Sequence, residues 1–121
     1  MSYETTWHPQ NKNKGKTYVF DIDGTLCTKT DGEYKDAEPL RSRIEKVNKL
    51  HDEGNTIILF TARGMGRTEG NSNAALRMFF DMTLEQMTNW GVKFDKLILG
   101  KPAADYYIDD KGLNDVAFFG D

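Results

Sequence analysis

The sequence predicts an α/β fold, in which helices flank a doubly wound, mostly parallel β-sheet. Short apolar runs typical of buried strands alternate along the chain with longer segments whose apolar residues recur at helical spacing. Polar residues directly follow several of the apolar runs. Such residues meet at the carboxyl edge of a parallel sheet, where ligands of α/β proteins bind.

Length and composition indicate one globular domain. Of the 121 residues, we assign 1–16 to a polar N-terminal arm and 17–121 to the domain. The formal charge of −3 gives no general attraction to nucleic acid, and no apolar run approaches the about 20 residues that span a bilayer. The single cysteine, Cys27, excludes an internal disulfide. We therefore expect a cytoplasmic protein without a nucleic-acid or membrane partner.

The first strand is predicted over residues 17–21, TYVFD, which are short, β-branched and aromatic. Asp31-Gly32 is a turn signal within residues 27–39, and it favours a small β-hairpin or flap there.

Two helices are predicted between the strands. The first covers residues 40–51, where apolar residues recur at helical spacing and Gly54 provides a C-terminal stop. The second follows a glycine-rich loop, residues 61–73, and continues to about residue 90. The remaining predicted strands cover residues 55–60, 96–100, 105–109 and 116–120.

The end of the first strand poses an electrostatic problem. Asp21 and Asp23 are two positions apart, so on an extended chain their side chains point the same way. Two unpaired carboxylates at the end of an apolar run would cost several kcal/mol, or one would stay protonated. The spacing therefore predicts a cation close to both.

Polar residues also follow the later strands. Thr61 and Arg63 follow the second strand, Lys101 follows the third, and Asp109 and Asp110 end the fourth. In a parallel sheet these residues and the first aspartate pair would converge at one edge. Clustered carboxylates suit Mg²⁺, which also binds phosphate, and a lysine and a hydroxyl suit an anion. We therefore predict a Mg²⁺ site assisted by the lysine.

Four features resemble, in order and spacing, the motifs of the haloacid dehalogenase superfamily of phosphohydrolases. They are DIDGTL, the threonine after the second strand, the lysine after the third, and YYIDD. The resemblance covers residues 17 to about 119. The strings LFTAR and LILGKPAADYYIDDK, with the chain length, look more like the small capsule-biosynthesis phosphatases of that superfamily.

The resemblance implies a role for each of these residues. Asp21 would be the nucleophile that forms an aspartyl-phosphate, and Asp23 would act as general acid and then general base. Thr61 would hydrogen-bond a phosphoryl oxygen, and Lys101 would balance charge on the nucleophile and phosphate. The implied metal ligands are Asp21, Asp23 through its backbone carbonyl, Asp109 and Asp110. The implied substrate-side residues are Gly24, Thr25, Ala62, Arg63 and Arg67.

The spacing of the motifs looks like that of a capless member of the superfamily. Residues 26–39, after the first motif, have room only for a flap. Residues 63–100, between the second and third motifs, hold a loop, a helix and a strand. Capless relatives either act on large substrates or oligomerise to close the site. We expect a small phosphomonoester substrate, such as a sugar or polyol phosphate for capsule or surface polysaccharide, and a homo-oligomer.

Other functions stay open. A polynucleotide 3′-phosphatase would carry a basic stripe that this chain lacks. A phosphoacceptor signalling domain would need an aspartate after the third strand, where the chain has none. A non-catalytic binding domain is disfavoured because every catalytic position is filled.

Individual residues also have simpler interpretations. The glycines at positions 64, 66 and 70 miss the spacing of a dinucleotide-binding loop, and the loop from Asp21 lacks the acidic ligands of an EF-hand. Cys27 has no histidine beside it, so we expect a packed thiol. Arg63 and Arg67 either contact an anionic group of the substrate or are solvated.

Overall fold

The computed structural model describes residues 15–121, so all but the last two residues of the predicted N-terminal arm lie outside the described residues. A parallel sheet of three strands forms the centre of this part of the chain, in the order β1 (Thr17–Phe20), β2 (Thr56–Thr61) and β3 (Lys96–Leu99). The predicted α/β class, with a mostly parallel sheet flanked by helices, is confirmed.

Helices connect the parallel strands. Helix α1 (Arg41–Asp52) joins β1 to β2, helix α2 (Ser72–Asn89) joins β2 to β3, and a short helix, α3 (Asp115–Phe119), follows later. The side chain of Asn71 caps α2 by accepting a hydrogen bond from the backbone N–H of Ala74 at 3.0 Å. None of the helices in the described part of the chain is long and apolar enough to cross a membrane.

The strand register aligns the residues that follow the strands. Phe20 pairs with Leu59, and Thr61 pairs with Leu99. The backbone N–H of Lys101 then donates to the carbonyl of Thr61 at 3.1 Å, which continues the pairing beyond β3. The ends of all three strands therefore lie at one edge of the sheet.

The hydrophobic core lies between the sheet and the helices. The central strand β2 is buried at five of its six positions, whereas β1 and β3 are each buried at one. Fully buried side chains of the core include Ile22, Leu26, Ile44, Val47, Ile57, Leu59 and Met87. Because Ile22 lies between the two aspartates, its burial fixes the backbone of the DIDG segment against the core.

Two predicted strands were wrong. Residues 105–109 form no strand, and the side chains of Tyr106 and Ile108 are largely exposed. Residues 116–120 belong to α3 and its C-terminal cap, because the side chain of Asn114 caps the N-terminus and Gly120 ends the helix with a φ of +72°. A five-residue apolar run does not distinguish a strand from a helix. Here the capping residues Asn114 and Gly120 favour the helix.

Residues 27–39, called the flap loop below, form a compact loop with little strand pairing. The predicted turn is confirmed: Asp31 and Gly32 have φ values of +57° and +96°, as a type I′ turn requires. A single 3-10 turn, Tyr34–Asp36, follows. The ends of the loop meet where the backbone N–H of Thr28 donates to the carbonyl of Glu38 at 3.0 Å.

A buried arginine attaches α3 to the rest of the fold. Arg43 on α1 is 8% exposed and donates to Asp115 at 2.7 Å and to Asp121 at 2.8 Å. Phe118 of α3 packs against Phe20 of β1, with their ring centroids 5.7 Å apart. The arginine thus connects the segment after β3 to the layer of helices.

We expect Arg43→Met to lower the free energy of unfolding by about 1–3 kcal/mol, because it removes hydrogen bonds between charged groups that are partly shielded from water. Urea unfolding followed by circular dichroism measures this loss. Arg43→Lys, which keeps the charge, should lose less. An unchanged unfolding midpoint in both variants would show that the ion pairs of Arg43 do not contribute to stability.

Candidate active site

A pocket of about 300 Å³ opens at the carboxyl edge of the sheet. The predicted site residues on its wall are Asp21, Asp23, Thr61, Ala62, Arg63 and Lys101. The flap loop adds a second wall, which includes Lys29, Thr30 and Tyr34. The predicted convergence of residues from β1, β2 and β3 at one edge is therefore present in the structure.

Lys101 is the cation beside Asp21. Its ammonium nitrogen lies 3.7 Å from Oδ1 of Asp21, and both side chains are partly buried. Burial raises the pKa of Asp21, and the positive charge of Lys101 is the largest of the effects that oppose this rise. The ammonium also lies 4.3 Å from the ring centroid of Tyr107.

Arg63 is the cation beside Asp23. Its Nε donates to Oδ2 of Asp23 at 2.9 Å, and one terminal nitrogen donates to Oδ1 at 3.0 Å. This is a bidentate pair, the strongest geometry available to an arginine and a carboxylate. The arginine, which was predicted to contact substrate or solvent, is only 1% exposed and is paired inside the protein.

The turn after β2 orients Arg63. Its backbone N–H donates to Oγ1 of Thr61 at 3.1 Å, and its other terminal nitrogen donates to Oγ1 of Thr83 at 3.2 Å. Thr61 uses an oxygen lone pair in this contact, so the hydrogen of its hydroxyl group remains available to donate to another acceptor.

Tyr34 connects the flap loop to this turn. Its hydroxyl oxygen accepts from the backbone N–H of Gly64 at 2.8 Å, and its ring centroid lies 4.8 Å from the guanidinium carbon of Arg63. Tyr34 was not predicted from the sequence, although an aromatic residue within a polar flap is an available signal.

Arg67, a predicted substrate-side residue, donates to the carbonyl of Gly32 at 3.1 Å and lies outside the main pocket.

The predicted substrate-side residues Gly24 and Thr25 do not line the pocket. Gly24 has a φ of +85°, and its backbone N–H donates to the carbonyl of Cys27 at 2.8 Å. The carbonyl of Thr25 accepts from Arg43 at 3.1 Å.

Burial and the neighbouring Asp23 raise the pKa of the Cys27 thiol to about 12, which agrees with the predicted packed, unreactive cysteine.

Asp109 and Asp110 do not reach the pocket. Both are exposed, and Asp109 accepts from the backbone N–H groups of Lys111 and Gly112 at 2.7 and 2.6 Å, which lowers its pKa. The chain bends earlier, where the Tyr107 hydroxyl donates to the Pro102 carbonyl. This local contact forms instead of the predicted fourth strand.

The predicted set of metal ligands is accordingly not assembled. Within residues 15–121, no group of three or more histidine, cysteine or acidic side chains converges on one point. Of the two carboxylates in the pocket, Asp21 is paired with the ammonium of Lys101 at 3.7 Å, whereas both oxygens of Asp23 accept hydrogen bonds from Arg63. As placed, the residues do not fit a complete Mg²⁺ site, and we assign no chemical step to a metal.

Comparison with known proteins identifies the fold. No family model matches the sequence, and no curated protein matches it either. Among solved structures, a crystallised protein from Vibrio cholerae, which carries a target designation in place of an activity, is 29% identical with a TM-score of 0.79. The match covers 86% of this chain and 87% of that chain.

Two further structures carry informative names. D,D-heptose 1,7-bisphosphate phosphatase from B. bronchiseptica, complexed with magnesium and phosphate, is 19% identical with a TM-score of 0.50, over 74% of this chain and 52% of that chain. This chain has a haloacid dehalogenase-like fold. A Pnkp1/Rnl/Hen1 complex matches this fold at 18% identity and a TM-score of 0.54, over 78% of this chain and 30% of that chain. The matched region thus covers about half of the first of these chains and under a third of the second.

The raised pKa of Asp21 predicts how stability changes with pH in metal-free buffer. A carboxyl group whose pKa is higher in the folded state favours folding below its unfolded pKa of about 4, and this contribution is lost as the pH rises through the folded pKa. Asp21→Asn does not titrate and provides the control. Relative to this variant, the wild-type protein should become less stable as the pH increases from about 4.

Chemical denaturation of both proteins over a series of pH values, with chelator present, measures the difference. A difference in unfolding free energy that stays constant with pH would contradict the raised pKa.

Proposed function

We propose that this protein is a phosphomonoesterase that acts through an aspartyl-phosphate at Asp21. The observation that carries the proposal is the arrangement at the carboxyl edge of the sheet. Two carboxylates follow β1, a cation from the end of another strand lies beside each, and a threonine hydroxyl lines the same pocket. This combination of nucleophile, acid and anion-binding groups suits phosphoryl transfer.

In the first half-reaction, a carboxylate oxygen of Asp21 attacks phosphorus, and the bond from phosphorus to the leaving oxygen breaks. Asp23 gives its proton to that oxygen, so that an alcohol leaves. In the second half-reaction, Asp23 takes a proton from water, which attacks the phosphorus and releases Asp21 and inorganic phosphate. Lys101, 3.7 Å from Asp21, offsets the negative charge on the nucleophile and phosphoryl group.

The substrate that we propose is a small phosphorylated metabolite, such as a sugar or polyol phosphate. A pocket of about 300 Å³ lies at the lower end of the range for small-molecule sites. The likeness to a heptose bisphosphate phosphatase adds support at the level of the fold. A role in capsule or surface polysaccharide synthesis rests on the sequence strings alone and stays a prediction, as do a homo-oligomer and a cytoplasmic location.

Phosphate release measured across sugar, polyol and nucleotide monophosphates and 3′-phosphorylated oligonucleotides tests this substrate class. We expect turnover of a sugar or polyol phosphate. Preference for the oligonucleotide would favour the polynucleotide 3′-phosphatase instead. Stable labelling of the protein without turnover would favour a phosphoacceptor domain, and neither labelling nor turnover would favour a binding domain.

Mutations at the two aspartates should separate their roles. Asp21→Asn should abolish turnover of an aryl phosphate while the fold is kept, because the amide is isosteric but a far poorer nucleophile. Asp23→Asn should slow the hydrolysis of poor leaving groups more than that of good ones, because only a poor leaving group needs a proton in the transition state. Steady-state kinetics over a series of aryl and alkyl phosphates measures both effects. Equal losses across the series for Asp23→Asn would argue against its role as general acid.

We also propose Mg²⁺ as the cofactor. Hard carboxylate oxygens such as those of Asp21 are ligands that Mg²⁺ prefers, and the heptose bisphosphate phosphatase was crystallised with magnesium and phosphate. The exposed Asp109 and Asp110 would have to move to complete such a site.

Chelator should therefore abolish phosphate release from an aryl phosphate, and added Mg²⁺ should restore it. Mn²⁺ or Co²⁺ should substitute in part, because oxygen ligands discriminate weakly between these ions. Full turnover in excess chelator would remove Mg²⁺ from the proposal.

A further inference from the structure

Arg63 lies outside the four motifs on which the predicted catalytic roles rest, yet it makes the closest contact to Asp23. We propose that Arg63 is a positioning residue: it orients the Asp23 carboxylate for proton transfer and does not itself hold the phosphoryl group. This inference rests on the proposed function, because it assumes that Asp23 exchanges protons with the substrate and water.

The contacts of Arg63 are already directed inward. Nε and one terminal nitrogen donate to the two oxygens of Asp23 at 2.9 and 3.0 Å, and the other terminal nitrogen donates to Thr83 at 3.2 Å. The same terminal nitrogen that contacts Oδ1 lies 3.9 Å from the sulfur of Cys27. Although Arg63 forms part of the pocket wall, it is only 1% exposed and so offers almost no accessible surface to a substrate.

The surroundings hold the guanidinium plane rigidly. Thr83 lies on α2 and is fully buried, whereas the ring of Tyr34 approaches from the flap loop, with its centroid 4.8 Å from the guanidinium carbon. Two parallel hydrogen bonds from a fixed planar group define both the position and the rotation of a carboxylate. Lys101 makes no comparable contact with Asp21, since it is a single ammonium at 3.7 Å.

The orientation of the Asp23 carboxyl group matters because rotation about its terminal torsion, χ2, is weakly restricted. The χ2 torsion of an aspartate has broad, roughly two-fold preferences, so an unpaired carboxyl group would sample many directions. Proton transfer requires the acid to lie within hydrogen-bond reach of the leaving oxygen. A protonated Asp23 keeps one oxygen free as an acceptor, so one contact to Arg63 can persist while the other oxygen carries the proton.

The test compares Arg63→Lys with the wild-type protein over a series of aryl and alkyl phosphates of rising leaving-group pKa. A lysine keeps the charge but cannot make two parallel hydrogen bonds. We expect a loss of kcat of about 10- to 100-fold for the poorest leaving groups, a small loss for the best one, and nearly unchanged KM.

Arg43→Lys is the matched control. Arg43 is also a buried arginine paired with carboxylates, but it lies on α1, pairs with Asp115 of α3 and does not line the pocket. Its lysine variant should lower stability without changing the dependence on the leaving group. If both variants change that dependence equally, or if Arg63→Lys raises KM with kcat unchanged, the positioning role is wrong.

A second variant keeps the test decisive if Arg63→Lys does not fold. Thr83→Val is nearly isosteric and removes one hydrogen bond to Arg63 without touching Asp23. It should give a weaker loss with the same preference for poor leaving groups, and an equal loss for all substrates overturns the proposal.

The outcome for Asp23→Asn separates the two proposals. If that variant shows the leaving-group dependence and the Arg63 and Thr83 variants do not, only the positioning role fails. If Asp23→Asn shows no such dependence, or the wild-type protein hydrolyses none of the phosphates, the proposed function fails and the positioning role with it.

Discussion

The fold depends on how two carboxylates at the end of a strand are neutralised. Asp21 and Asp23 flank the buried Ile22, and their own side chains are only partly exposed to solvent. Two cations of different kinds neutralise them. The ammonium of Lys101 lies 3.7 Å from Asp21, and the buried guanidinium of Arg63 makes two hydrogen bonds to Asp23. Arg63 follows the adjacent strand β2 and Lys101 follows β3, so the parallel register that joins the three strands also sets the charge balance of the pocket.

The two ion pairs differ in a way that suits different chemical roles. A single lysine leaves the oxygens of Asp21 accessible for attack on phosphorus, whereas a bidentate arginine holds Asp23 in one orientation. Tyr34 extends this arrangement to the flap loop, because it touches both Arg63 and the backbone of Gly64. One aromatic residue thus links the wall of the pocket to Arg63, the partner of the group that we propose as the general acid.

The sequence predicted the parts of the structure that depend on local pattern. Strands β1 to β3 and helices α1 and α2 lie within a residue or two of their predicted positions. The helices show apolar residues at helical spacing over several turns, and the strands are apolar runs rich in β-branched residues. Residues 105–109 and 116–120 were assigned wrongly, because there a hydrogen bond from Tyr107 and a cap at Asn114 outweighed a short apolar run. The partner of Arg63 was also beyond prediction, since solvent, substrate and an internal carboxylate are equally compatible with one arginine in a glycine-rich loop.

The central claim is that Asp21 becomes covalently phosphorylated. Borohydride reduces an acyl phosphate to an alcohol, so quenching the protein with borohydride during turnover of an aryl phosphate should convert the phosphorylated aspartate to homoserine. Mass spectrometry of the proteolytic peptide that contains residues 17–29 then locates the modified position. The account predicts homoserine at Asp21, and only when substrate is present. Homoserine at Asp23, or turnover without any trapped residue, would contradict it.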